Sequence, residues 1–159
     1  MLVQLLHRDG EISIIEFSAR TGGALKYKLI ELTSGVDIIE ATIDVTLKGS
    51  ADVKPVRSEN YIRNEFIYLN DGIFDHLEGF DELKEQGIID NYYLFHNKGC
   101  EFNGANSSGD RIGGYTLIAK TKNELVDKHN KAIEGMKVIS NDGKDMFRRD
   151  ILKVETYED

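Results

Sequence analysis

Glu16, Ser18 and Arg20 stand at alternate positions within the run Glu16-Phe17-Ser18-Ala19-Arg20-Thr21-Gly22-Gly23. In an extended strand, residues two apart project from the same face. A carboxylate with a neutral oxygen beside it suits a hard divalent cation, and a guanidinium next to them can grip phosphate or carboxylate with a bidentate fork. Gln4 joins this group only if the preceding hairpin places it on the same side. A two-residue Asp9-Gly10 turn would pair Arg8 with Glu11 and set position 4 opposite position 15, so that Gln4 and Glu16 face opposite ways. A three-residue loop of Arg8, Asp9 and Gly10, with Gly10 left-handed, would pair His7 with Glu11 and lay Gln4 diagonally beside Glu16. The expectation is the three-residue loop. One face would then carry Leu2, Gln4, Leu6, Ile12, Ile14, Glu16 and Ser18, an apolar floor with oxygens gathered at the end away from the turn.

The elements that must position these groups follow from residue patterning. Leu2 to His7 and Glu11 to Phe17 are rich in apolar and β-branched residues and read as the two strands of the hairpin. Residue 1 falls at the start of that first strand. From Gly23 to Leu32, Leu25, Leu29 and Leu32 recur at helical spacing. Ser34, with Asp37 three residues on, forms a capping-box pattern for a second helix bearing Val36, Ile39, Ile43 and Leu47 on one face. That stretch is β-branched enough to read as a strand as well. Gly49 to Arg57 holds the only proline, Pro55, and loses the apolar period, so a domain boundary is placed there, dividing 1–50 from 51–159. Beyond it, Tyr61–Leu69, Ile88–Phe95, Arg111–Lys120 and Lys137–Ser140 read as strands. Phe80–Gln86 and the segment from the Thr121/Glu124 capping box to about Gly135 read as helices. Residues after Asn141-Asp142-Gly143 would add short closing strands. The expected class is α+β.

Composition limits the partners. The 159 residues carry a formal charge of −8, with no basic patch of the kind that releases counterions from nucleic acid. No apolar run is long enough to cross a bilayer, and no basic n-region with an apolar core opens the chain. A single cysteine, Cys100, excludes an internal disulfide, so the expected compartment is a reducing cytoplasm. No nucleic-acid or membrane partner is expected.

The opening motif resembles a known family. Glu-x-Asn-x-Arg closing a β-hairpin, with an acidic or amide residue twelve positions before the Glu, is the pattern of ATP-grasp ligases; here the positions are Gln4, Glu16, Ser18 and Arg20. Glutamine at the earlier position is most similar to the large subunit of carbamoyl-phosphate synthase, and Glu-Phe-Ser-Ala-Arg-Thr-Gly-Gly resembles carbamoyl-phosphate-synthase-like members. Ser18 departs from the usual asparagine, giving a shorter reach toward a second metal. Leu29–Leu47 and the later Arg111-Ile112-Gly113-Gly114 and Thr121-Lys122-Asn123-Glu124 resemble the family's following helices and C-terminal subdomain.

The resemblance implies that 1–50 is the C-terminal part of an ATP-grasp catalytic domain and 51–159 a small α+β subdomain. It implies a fragment of an ATP-dependent carboxylate–amine ligase, inactive alone, because the family's nucleotide-gripping lysines and glycine-rich loop lie upstream of this hairpin. Mg (or Mn) would be held by Gln4, Glu16 and Ser18. Arg20 would be catalytic, steadying the transferred phosphate of ATP or the acyl-phosphate. Thr21, Gly22 and Gly23 would open a helix whose free amides favour anions. The partner would be the remainder of the ATP-grasp domain, in the same longer chain or a separate subunit.

Other readings stand beside these. Glu16 and Arg20 could form a loop salt bridge, Gln4 could be an edge-strand amide, and Gly22-Gly23 could cap a turn. A non-catalytic association module is the alternative function, with the first strand docking to a partner and the C-terminal part forming homo-oligomers. His129 falls on the inner side of its helix and reads as a core histidine. His7, His76 and His96 share no spacing with an acid or a cysteine. Cys100, flanked by Gly99 and Glu101 with no motif around it, is not expected to be a nucleophile.

Overall fold

The computed structural model describes residues 2–152. The expected strand start at residue 1 and the domain limit at 159 lie outside the described residues. The chain divides into two compact units, Met1–Ser58 and Glu59–Asp159.

The first unit begins with β1 (Leu2–Arg8) and β2 (Glu11–Ser18), an antiparallel two-stranded ribbon. The turn has two residues, not three: Arg8 pairs with Glu11, and Asp9 (φ 53°) and Gly10 (φ 83°) both lie in the left-handed region. Asp-Gly is a favoured pair for this mirror-image turn, whose twist matches that of the strands. The regular ladder runs as far as Leu5 opposite Ile14. The register then shifts, with β2 skipping Ile15, so that Gln4 pairs with Glu16, Val3 with Phe17 and Leu2 with Ser18. A bulge of this kind changes the parity of one strand relative to the other.

The two faces are therefore sorted differently from expectation. Leu2, Gln4, Leu6 and Arg8 share a side with Glu11, Ser13, Glu16 and Ser18. Ile12 and Ile14 lie on the opposite side, beside Val3, Leu5 and Phe17. The apolar floor expected beneath Gln4 and Glu16 is not there; the apolar residues form the other face.

Two helices follow, α1 (Lys26–Ser34) and α2 (Ile38–Lys48). Helix wins over strand for α2 because Asp37 caps it, its carboxylate accepting from the amides of Ile39 (2.9 Å) and Glu40 (3.0 Å). Ser34 is not that cap. It ends α1, and its hydroxyl donates to the Ile30 carbonyl at 2.7 Å. The chain after α2 returns to α1, where Val56 N–H donates to Ser34 O and Ser58 N–H to Thr33 O, satisfying helix-end carbonyls.

This unit buries little. Leu25 is its one buried residue among those described, whereas Val3, Leu5, Leu6, Ile12, Ile14, Ile15 and Phe17 of the ribbon and Ile39, Ile43, Val45 and Leu47 of α2 are exposed. Phe17 keeps 76% of its surface in solvent. Exposed apolar residues therefore line both the ribbon and α2.

The second unit has its own core. Strands β3 (Tyr61–Tyr68), β7 (Arg111–Ala119) and β5 (Asn91–Leu94) form one antiparallel sheet in the order β3-β7-β5. A second sheet is ordered β6-β4-β8, from β4 (Gly72–Glu78), β6 (Glu101–Phe102) and β8 (Lys137–Ser140). Helix α3 (Phe80–Glu85) leads into β5, and α4 (Lys122–Gly135) packs on β7 and β3. Strand β4 was not expected from the sequence. After Asn141-Asp142-Gly143, among the described residues, only isolated bridges form, Ile139 with Asp145 and Leu69 with Phe147, in place of the expected closing strands.

Leu69, Phe80, Ile112, Tyr115, Leu117, Met136 and Val138 are among the residues that make a continuous buried cluster. Thr121 caps α4 by accepting from Glu124 N–H, and the Glu124 carboxylate accepts from the Lys120 amide. At the other end of α4, Arg149 donates to the carbonyls of Ile133 and Met136 and pairs with Asp145 at 2.7 Å. Gly79 (φ 82°) is required where α3 approaches the end of α4, because a Cβ there would stand 2.1 Å from the Gly135 carbonyl oxygen. His129 is fully buried, as its helical position implied, with Nδ1 3.3 Å from the Tyr115 hydroxyl and Nε2 without a hydrogen-bond partner among the described residues.

Candidate functional site

The bulge at Ile15 sets the geometry of the opening ribbon. Without it, a two-residue turn would put Gln4 and Glu16 on opposite faces. With it, they are direct cross-strand partners, and Ser18, opposite Leu2, shares their side. Directly paired side chains have Cβ atoms roughly 4.5–5.5 Å apart, close enough for two oxygens to meet one ion. Gln4 and Glu16 are exposed and Ser18 half-buried. Among the described residues, no hydrogen bond or ion pair engages these three side chains. A carboxylate, an amide oxygen and a hydroxyl, all free to turn toward one point, fit a hard oxygen-seeking cation such as magnesium. Softer chemistry has no support here, since no three His, Cys, Asp or Glu side chains gather anywhere among the described residues.

Arg20 lies just past β2. It is exposed, and one Nη donates to the Thr21 carbonyl at 3.0 Å. No salt bridge joins it to Glu16 among the described residues, which removes the plain ion-pair reading of those two. Ala19, Arg20 and Thr21 line one wall of an open pocket of about 440 Å³, and Tyr27, Ile38, Ile39, Thr42 and Ile43 line the rest. Its chemistry is one cation beside an apolar wall.

Gly22 and Gly23 do not open a helix. Helix α1 begins at Lys26 after Leu25, and Leu25 provides no side-chain cap. The reason is visible at Ala24, whose left-handed φ of 57° interrupts any continuous turn from Thr21. Gly22 packs closely, since an added Cβ would lie 3.0 Å from the Lys26 side chain, while Gly23 borders open space.

Comparison with known proteins bears on the fold. No protein-family model and no curated protein matches this sequence. Solved structures do match. An L-amino acid ligase from Bacillus licheniformis superposes with a TM-score of 0.71 at 18% identity, over 87% of this chain and 35% of that one. A phosphoribosylglycinamide synthetase from Anaerococcus prevotii gives 0.67 at 18% identity, over 87% of this chain and 36% of that one. The chain shares the fold of part of each of these two structures. The chain spans about a third of the length of these two structures. No helix among the described residues is long and apolar enough to cross a membrane.

Proposed function

We propose that this chain supplies the metal end of the active site of an ATP- and magnesium-dependent carboxylate–amine ligase of the carbamoyl-phosphate-synthase-like kind. It acts together with the remainder of an ATP-grasp domain. The observation that carries the reading is the direct pairing of Gln4 with Glu16, with Ser18 on the same side and Arg20 just beyond. Gln4, Glu16 and Ser18 would hold magnesium or manganese. The metal, when bound, neutralises charge on the phosphates of ATP. Arg20 offers its free donors to the transferred phosphoryl group or to the acyl-phosphate, a planar fork matched to those oxygens. Gly22 and Gly23 would let the backbone between β2 and α1 pass close to the nucleotide phosphates. The apolar face of the ribbon and the exposed side of α2 are the surfaces the rest of such a domain would cover.

The test is reconstitution. The chain is co-expressed with the coding sequence immediately upstream of it, and ADP formation is followed with mixtures of carboxylic acids and amines. Glu16→Gln and Arg20→Ala are each expected to lower kcat by about a hundredfold or more. An active complex whose rate is untouched by both changes would remove the proposal.

A second reading is favoured by the apolar face of Val3, Leu5, Ile12, Ile14 and Phe17: a non-catalytic module that associates with partners or with further copies of itself. Light scattering separates the two. Stable dimers of the isolated chain that persist with Glu16→Gln, together with no ligase activity in the reconstituted mixture, favour the module.

A further inference from the structure

Away from the ribbon, the second unit brings its single thiol against an imidazole. Cys100 Sγ lies 3.6 Å from His96 Nδ1, within hydrogen-bonding range for sulfur. The other ring nitrogen, Nε2, lies 3.3 Å from the Gly109 carbonyl oxygen. A carbonyl can only accept, so this contact keeps the hydrogen on Nε2 and leaves the Nδ1 lone pair facing the thiol. Phe102, buried, meets the ring edge-on at 5.3 Å and holds its plane.

The backbone holds the sulfur equally firmly. Cys100 N–H donates to Asn97 O, Cys100 O accepts from Phe74 N–H, and Gly99 N–H donates to Phe74 O. Cys100 and His96 are both half-buried, so solvent reaches the pair. The charged groups around it are Asp110, Lys98 and Glu101. Asp110, its pKa lowered chiefly by the Ser107 amide, is near enough to feel charge on His96. Lys98 is engaged by Asp75 at 2.6 Å. Glu101 is exposed, and its carbonyl is a distant 3.9 Å competitor for the thiol proton.

We infer that Cys100 and His96 form a thiol–imidazole pair that undergoes exchange with low-molecular-weight disulfides. His96 Nδ1 takes the thiol proton, and the thiolate attacks one sulfur of the disulfide. The S–S bond breaks, the departing thiolate recovers the proton from His96, and Cys100 is left in a mixed disulfide. The small disulfide is the oxidant and is half reduced. This site is independent of the ligase reading.

Because the chain has one cysteine, its reaction with an aromatic disulfide such as dithiobis(nitrobenzoate) reports on Cys100 alone. At pH 7 the wild-type protein is expected to react about tenfold faster than His96→Gln. Equal rates for wild type and a folded His96→Gln protein, checked by circular dichroism, overturn the inference.

Discussion

Gln4 and Glu16 are direct partners across the β1–β2 ribbon, although the turn joining their strands is one residue too short to pair them in a regular ladder. The missing residue is supplied along the strand, at Ile15, and not in the loop. The bulge thus does two things at once. It brings an amide and a carboxylate to one side, and it moves Phe17 to the other, where with Val3, Leu5, Ile12 and Ile14 it makes an exposed apolar face.

The contrast between the two units predicts that they differ in autonomy. Residues 59–159 carry the continuous buried cluster, whereas residues 2–58 bury Leu25 alone among those described. Produced separately, 59–159 should unfold in one cooperative thermal transition, and 1–58 should show none and should bind a hydrophobic dye. Conformational entropy of about 1–2 kcal/mol per residue cannot be offset by so little burial. A cooperative transition in isolated 1–58 would contradict this.

His129 makes the second unit sensitive to acid. Burial, with a smaller contribution from the positive charge of Arg63, pushes its pKa down to about 4 from the ordinary 6.5. The imidazole is therefore neutral when folded, while the unfolded chain takes up a proton below about pH 6.5. The stability tied to this group is complete above that pH and falls away between 6.5 and 4, by at most about 3 kcal/mol. His129→Leu removes the linkage. Urea unfolding should show the variant gaining on wild type by about 2 kcal/mol between pH 7 and pH 4.5; a difference that does not change with pH would refute the assignment.

Arg149 ties the last turn of α4 to the segment that follows β8, donating to Ile133 O and Met136 O and pairing with Asp145. A cation at a helix C-terminus is favourable, but a lysine offers no planar fork and cannot serve all three acceptors. Arg149→Lys is expected to cost about 1–3 kcal/mol. For a unit of this size that lowers Tm by roughly 4–8 °C per kcal/mol, measurable by calorimetry. An unchanged Tm would show that water replaces these bonds without loss.

Much of the fold was legible along the chain. The Thr121 and Glu124 pair announces α4, since a short hydroxyl and a carboxylate three residues apart can satisfy free amides at a helix start. Alternation from Tyr61 onward announces β3, and Arg111–Lys120, also read as a strand, forms its partner β7, buried along nearly its whole length. Strand β4 escaped because Gly72–Glu78 mixes Asp75, His76 and Glu78 with its apolar residues. Lys98, and then His76, lower the Asp75 pKa, Asp75 raises that of His76, and Glu78 lies beside them, so their polarity marks a surface network and not a loop.

The sequence by itself determined the candidate donors and their local order: Glu16, Ser18 and Arg20 at alternate positions, an Asp-Gly turn, and a helix behind Asp37. Those features depend on neighbours a few residues apart. Only the tertiary structure decided which side of the ribbon each donor takes, because one bulged residue reverses the parity of every residue beyond it and leaves no mark in composition. The same holds for Cys100 and His96. They meet through a turn anchored on Phe74 and a ring anchored on Gly109, contacts that span β4 and the loop before β7.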